Sequence, residues 1–423
     1  MRSKLQSSIL VLPTEVIEKV FILVDDSNDL RTLTYVNRLF ASIACHIYAT
    51  QHGIRVTNTV IKIQGSSFQA LATWRRSRLF TSVEDKHLIC IIEDRDLKLA
   101  KAQVEALRIF LGTPFVGQPF TMVTIHYADC LSPSEILHFI GLIDNLGCRS
   151  ASISSGLSNP DWFNPLPCQK LPTISLSHLR SLDIDHQYLS ARQWSSLLLR
   201  LTGPTLEALF IRGQSTINAL CKFLSRHCGI RMLSFAPRWA KHTHCMKLSG
   251  YPQGILHMPL LSEMDGPPCH LRALLRCLSH VPDALTIKAG LDSRMTYVQY
   301  VRNVLGSVSL CRSHVHLEIH LPVRYVLDHN VKLNQVEMKS LTAIALPEIA
   351  SLEISFPSMS ERLLLVCSHP FVEGIAKLMH VLPGLLHTMV RTYAYLGSYC
   401  NLCELIRVSP QEPIKCRYGS RST

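Results

Sequence analysis

Three clusters in this chain hold side chains that could do chemistry. Cys400-x-x-Cys403 has the spacing of half a zinc site, but no second pair follows at finger spacing, and Cys416 alone does not complete four ligands. His242-x-His244-Cys245 offers two ring nitrogens and a thiolate to a metal, in a loop that reads equally well as a solvated Lys/His-rich segment. Trp74-Arg75-Arg76-Ser77-Arg78 is the densest basic cluster and contains one aromatic. It reads first as a solvated face, then as a docking patch for an acidic partner, and last as a contact for RNA or DNA, since no nucleic-acid motif accompanies it. No glycine-rich phosphate loop, G-x-S-x-G elbow or H-E-x-x-H motif occurs, and the 20 His have no carboxylates at readable spacing. The expectation is a non-catalytic protein with no cofactor and no resident metal.

The elements that would have to position such groups are apolar and numerous. The chain has 423 residues, 47% apolar and only 17% charged, with a net charge of +12. That composition excludes an intrinsically disordered chain, and 19 Gly with 22 Pro lacking any period exclude collagen. The length fits two or three domains or one long repeat array. The 15 Cys are too few for a disulfide scaffold and odd in number, so they read as reduced thiols of an intracellular protein. Ile9–Leu12 is too short for a signal-peptide core, and Phe371–Val390 carries Glu373, Lys377 and Pro383 where a membrane span would be apolar. No membrane association is expected, and the location is cytoplasmic or nuclear.

Residues 12–50 predict three short amphipathic helices. Val16, Ile17, Val20, Phe21 and Val24 form one stripe, Pro13 suits a helix start, and Asp25-Asp26-Ser27-Asn28 ends the segment. Asp29–Val36 places Leu30, Leu33 and Val36 on one side. Asn37–Thr50 repeats the first pattern with Leu39, Phe40, Ile43, Ala44, Ile47 and Tyr48. Forty residues cannot bury all of these among themselves, so part of the apolar surface must go to a neighbour or a partner.

Beyond residue 55 a short pattern recurs: apolar, two residues, apolar, one residue, apolar. Clear instances are Leu179/Leu182/Ile184, Leu206/Leu209/Ile211, Ile230/Leu233/Phe235 and Ile349/Leu352/Ile354. Weaker ones are Lys86/Ile89/Ile91, Phe120/Val123/Ile125, Cys148/Ala151/Ile153, Pro282/Leu285/Ile287 and His314/Leu317/Ile319. Each predicts a short strand, and a degenerate strand near Leu260–Met264 fills the one long gap. Helix signals lie between the strands: the capping box Ser132-Pro133-Ser134-Glu135, Ser190-x-x-Gln193 with Gly203-Pro204 as a stop, and Gly266-Pro267-Pro268. About ten strand–loop–helix units at uneven spacing predict a solenoid. Phe371, Ile375, Leu378, Val381 and Leu382 suggest a further helix, and the tail after Ser409 reads as disordered.

The N-terminal stretch resembles an F-box. The residues that carry the resemblance are Leu12-Pro13-x-Glu15-Val16-Ile17-x-x-Val20-Phe21, then Asp29-Leu30-x-x-Leu33-x-x-Val36-x-Arg38-x-Phe40, and the terminal Ile47-Tyr48. Ala41 departs from the bulkier residue many members carry. The strand–helix region resembles divergent leucine-rich repeats of F-box proteins, and Leu261 to Pro322 is similar to those of mushroom-forming fungi. It has no Asn or Cys ladder after its strands. The resemblance implies an α/β fold with a helical F-box module at 1–52, an irregular leucine-rich-repeat array at 53–357, and a terminal cap with polar tail at 358–423. It also implies a substrate-recognition subunit of an SCF-type ubiquitin ligase. Leu12, Pro13, Val16, Ile17, Val20, Phe21, Leu30, Leu33, Val36 and Phe40 would then contact the Skp adaptor, and through it cullin. The repeats would hold an unidentified target protein, whose surface the +12 charge suggests is acidic. The alternative is a scaffold outside any ligase, its N-terminal helices capping the solenoid.

Overall fold

In the computed structural model the described residues are 12–320, without positions 34, 58, 66, 69–70, 72–85, 93–96, 113–119, 128–130, 156–170, 187–188, 214–216, 236–253, 282–284, 290–296 and 312–314, together with 349–359, 387–394 and 415–418. The chain divides into two compact units, Met1–Leu189 with Arg200–Leu206, and Ser190–Leu199 with Glu207–Thr423.

The first unit opens with three helices, α1 (Thr14–Ile22), α2 (Ser27–Leu33) and α3 (Arg38–Gln51). Pro13 stands immediately before α1, where it has no N–H to lose, and its carbonyl accepts from the Val16 and Ile17 amides. Asn37 caps α3 by accepting from the Phe40 amide at 2.8 Å. The Phe21 and Phe40 rings meet edge to face, centroids 5.1 Å apart, and join α1 to α3.

Strands β1 (Arg55–Val56), β2 (Val60–Gln64), β3 (Lys86–Ile92), β4 (Phe120–Tyr127), β5 (Ser150–Ser155) and β7 (Ser181–Asp185) follow, together with the short β6 (Ile174–Ser175). β1 pairs antiparallel with β2. From β2 to β7 the main strands pair parallel, each with the next in chain order. Parallel neighbours need a crossover, and helices α4 (Leu97–Leu111) and α5 (Pro133–Asn145) supply two of them. The register aligns buried side chains into columns, Ile61–Leu88–Val123–Ala151–Leu182 and Ile63–Cys90–Ile125–Ile153–Ile184. The expected capping box is present: Ser132 Oγ accepts from the Glu135 amide, and Glu135 accepts from the Ser132 amide at 2.7 Å.

In the second unit α6 (Ala191–Arg200) precedes β9 (Ala208–Arg212), α7 (Ile217–Leu224), β10 (Met232–Ser234), β11 (Glu263–Gly266), α8 (Pro268–Cys277), β12 (Leu285–Ala289), α9 (Tyr297–Val308) and β13 (Val315–His320), while the two-residue β8 (Leu201–Thr202) belongs to the first unit and pairs with β6. β14 (Ile349–Met359), β15 (His387–Ala394) and β16 (Lys415–Tyr418) extend the parallel sheet. The column here is Leu209–Leu233–Met264–Ile287–Leu317–Leu352. Ser190 and Gln193 exchange the cap bonds expected at the start of α6. Trp194 is fully buried against Gly213, where any Cβ would overlap the indole. The chain is thus a mixed α/β protein with parallel sheets and intervening helices.

Three expectations shift. In β3 the core residues are Leu88, Cys90 and Ile92, while Ile89 and Ile91 are half-exposed. A one-residue slip inverts both faces, and a strand apolar at nearly every position does not mark its inner side. Ile287 rather than Leu285 stands opposite Leu317, a two-residue offset that keeps the same face. Lys415–Tyr418 is a strand paired with β15, where disorder was expected, because pairing with an existing edge does not require apolar alternation. The degenerate strand expected near Leu260–Met264 is β11. The helix expected from Phe371 to Leu382 lies outside the described residues. No helix among the described residues is long and apolar enough to cross a membrane.

Candidate partner interface on the N-terminal helices

The sequence places one apolar stripe on α1, and the fold divides it in two. Ile17 and Phe21, four residues apart, are buried against the other helices with Leu30 and Phe40. Leu12, Val16 and Val20, one position back along the same spacing, are 42%, 41% and 52% exposed, and Leu23 continues their line at 79%. Ile22, Tyr35 and Val36 are exposed as well. Seven of the twelve large apolar side chains exposed among the described residues therefore fall within 25 positions of chain. Single exposed apolar residues are ordinary on a protein surface; a concentration of this kind marks a place where something else packs.

Of the ten residues the sequence assigns to a partner contact, five are exposed: Leu12, Pro13, Val16, Val20 and Val36. Leu33 is half-buried. Ile17, Phe21, Leu30 and Phe40 are in the interior, so their place is in holding the three helices together. The reason is geometric: with only three short helices, the side chains nearest the axis of the bundle must make its core. Ile22, Leu23 and Tyr35 were not singled out from the sequence, although Leu23 lies seven residues after Val16 on the outer stripe.

The three helices are also tied to the sheet that follows. Ser67 Oγ, buried, donates to the His52 carbonyl at 2.6 Å, and the Ile54 amide donates to the Ala49 carbonyl at 2.7 Å. Gly53 takes a left-handed φ of 73° in the turn between them.

The outward faces of the strands carry polar pairs among apolar residues such as Ile89, Ile91 and Phe210. In the first unit His87 Nε2 bonds Thr124 Oγ1 at 2.8 Å, His126 bonds Ser154, and Ser152 donates to Asp183 at 3.2 Å. Burial, aided by the neighbouring His126, lowers the pKa of His87. In the second unit Lys288 pairs with Glu263 at 2.7 Å. Burial disfavours the ammonium, but Glu263, with Glu318 and Asp265, holds the Lys288 pKa above the ordinary lysine value. On β11 to β13 this face therefore sets Glu263, Asp265 and Glu318 around Lys288.

The segments 72–85, 236–253 and 395–414, which contain Trp74–Arg78, His242–Cys245 and Cys400–Cys403, lie outside the described residues. Among the described residues no three His, Cys, Asp or Glu side chains converge to hold a metal. The arrangement that remains is an apolar surface on three helices beside a strand–helix array. Comparison with the known protein families and with the curated proteins finds no match for this chain.

Proposed function

We propose that the chain is a substrate receptor of an SCF-type ubiquitin ligase. Residues 12–51 form an F-box that docks on the Skp adaptor and through it on cullin. The strand–helix units are irregular leucine-rich repeats that hold a target protein, in the cytoplasm or nucleus. The observation that carries the reading is the exposed line Leu12, Val16, Val20 and Leu23 beside the buried pair Ile17 and Phe21. A bundle that needed only its own core would place polar residues on that line. The chain itself makes or breaks no bond; it raises the effective concentration of the target near activated ubiquitin.

Co-purification with the Skp adaptor tests this. Val16→Ser with Val20→Ser removes contact surface without touching the core, and central anchors are each worth on the order of 2 kcal/mol. The double variant should bind the adaptor at least tenfold more weakly while melting as the wild type does. Absence of binding by the wild type, or equal binding by the variant, ends the proposal.

The bonds from Ser67 to His52 and from Ile54 to Ala49 favour a second reading. In it the helices cap the array of a scaffold that joins no ligase. Deleting residues 1–52 would then destabilise the strands and remove no partner.

A further inference from the structure

The helices of two strand–helix units in the second half of the chain, β9–α7 and β11–α8, bring two thiols together. Cys221 lies on α7 and Cys277 is the last residue of α8, and these helices pack against each other. Both side chains are buried, 3% and 0% exposed. The Cys221 thiol hydrogen bonds to the sulfur of Cys277, whose own thiol donates to the Ala273 carbonyl at 3.3 Å. The two thiols therefore meet where α7 packs on α8. A chain of 55 residues separates the two positions, and it contains β10 and β11.

We propose that Cys221 and Cys277 are an oxidisable pair, which a peroxide converts to a disulfide that staples the two units together. In the first step one sulfur attacks the peroxide. An S–O bond forms, the O–O bond breaks, and the thiol proton leaves with the departing oxygen as water. In the second step the other sulfur displaces the sulfenic oxygen, which takes that thiol's proton and leaves as a second water. Two thiols and one hydrogen peroxide become one disulfide and two waters. Cys277 is the better first nucleophile, because the hydrogen bond from Cys221 lowers its pKa while raising that of Cys221. Burial makes the step conditional on a local opening of α7 and α8, so the pair responds to sustained oxidant. A closed bridge would prevent these two units from moving apart, whatever partner the array holds.

The exposed Cys228, four residues beyond the end of α7, is the obvious competitor, and Cys228→Ser removes it. The full chain carrying that change is incubated with hydrogen peroxide, alkylated, digested without reduction and mapped by mass. The expected result is a Cys221–Cys277 cross-linked peptide two hydrogens lighter than its parts, with a melting temperature several degrees higher, both reversed by dithiothreitol. Adding Cys277→Ser should abolish both changes. If that variant does not fold, the alkylation pattern of the parent decides. Full alkylation of both cysteines after oxidation, oxidation to sulfinic acid without a bridge, or cross-links only between molecules would each overturn the proposal.

Discussion

Replacing Asp144 should loosen the first unit more than any single surface change. This carboxylate, 1% exposed near the end of α5, accepts the amides of Ser177 at 2.9 Å and of His178 and Leu179 at 2.8 Å, and the Ser177 hydroxyl at 2.9 Å. It fastens the segment entering β7 to the helix of an earlier unit. Hydrogen bonds to a charged group contribute about 1.5–3 kcal/mol each, but the four do not add. Ser177 and His178 are exposed, so water can replace the carboxylate at their amides; Leu179 is fully buried and its N–H has no such substitute. Asp144→Ala should therefore cost roughly 3–4 kcal/mol, the loss of one buried N–H partner plus part of the rest. Asp144→Asn keeps one carbonyl oxygen where Oδ1 receives three amides and should cost about 1–2 kcal/mol.

Thermal unfolding and amide exchange at residues 177–185 measure both. For a unit of this size 1 kcal/mol is worth roughly 2–4 °C, so the Ala variant should melt on the order of 10 °C lower, with the exchange at Leu179 accelerated most. The acid limb supplies a second check. Burial pushes the Asp144 carboxyl up, but the three amides and the Ser177 hydroxyl pull it down further, leaving it below the usual carboxylate range. Its contribution is complete above the unfolded value near pH 4 and disappears as pH falls through the folded one. Asp144→Asn should lack that loss. Equal stability of the Ala and Asn variants, or an Ala variant within about 0.5 kcal/mol of wild type, would refute the staple.

Two further outcomes follow from the same kind of accounting. At Gly203 φ is 142°, and an added Cβ would overlap the Leu176 carbonyl oxygen, so Gly203→Ala should cost several kcal/mol; at Gly254, with φ of 67° and no contact closer than the Ser279 Cα at 3.9 Å, the same change should cost only about 1 kcal/mol, and urea unfolding of the two variants compares them. His186 and His227 are buried, and burial pushes each down to about 4. The unfolded chain takes up protons at these sites first, so stability falls as pH drops from about 6.5 toward 4, by about 2 kcal/mol for each at pH 5. Melting curves at pH 7 and pH 5 measure the loss, and His227→Gln should roughly halve it if both sites contribute equally.

The features that were legible in the sequence are those set by neighbours along the chain. The capping pairs Ser132/Glu135 and Ser190/Gln193 are three residues apart, and the buried Leu182/Ile184 and Leu209/Ile211 alternate with less buried residues, Ser181 and Asp183 in the one strand and Ala208 and Phe210 in the other. What escaped depends on neighbours far away in sequence. Asp144 and Ser177 are 33 residues apart, and nothing local marks Asp144 as more than a helix-end acid. β3 has apolar residues on both faces, so its inner side is decided by β2 and β4. β15 and β16 are held by pairing with a strand already in place, which leaves no periodicity of their own.

The N-terminal helices set the sharpest limit on such reading. Periodicity groups Val16, Ile17, Val20 and Phe21 as one apolar stripe, because adjacent positions lie only about 100° apart around a helix. Only the packing of Leu30 and Phe40 divides that stripe into an inner pair and an outer pair. The division has consequences that differ in kind. Phe21→Ala should destabilise the bundle by about 3–5 kcal/mol, since its ring meets Phe40 edge to face in the interior, and any loss of partner binding would then report only on folding. Val20→Ser should leave the melting temperature within about 2 °C of wild type, since a half-exposed valine contributes little to the fold. A variant set that mixed the two pairs could not distinguish a docking surface from a core. Measured separately, with binding and melting read on the same samples, loss of binding without loss of stability at Val16 and Val20 can come only from a surface that another molecule covers.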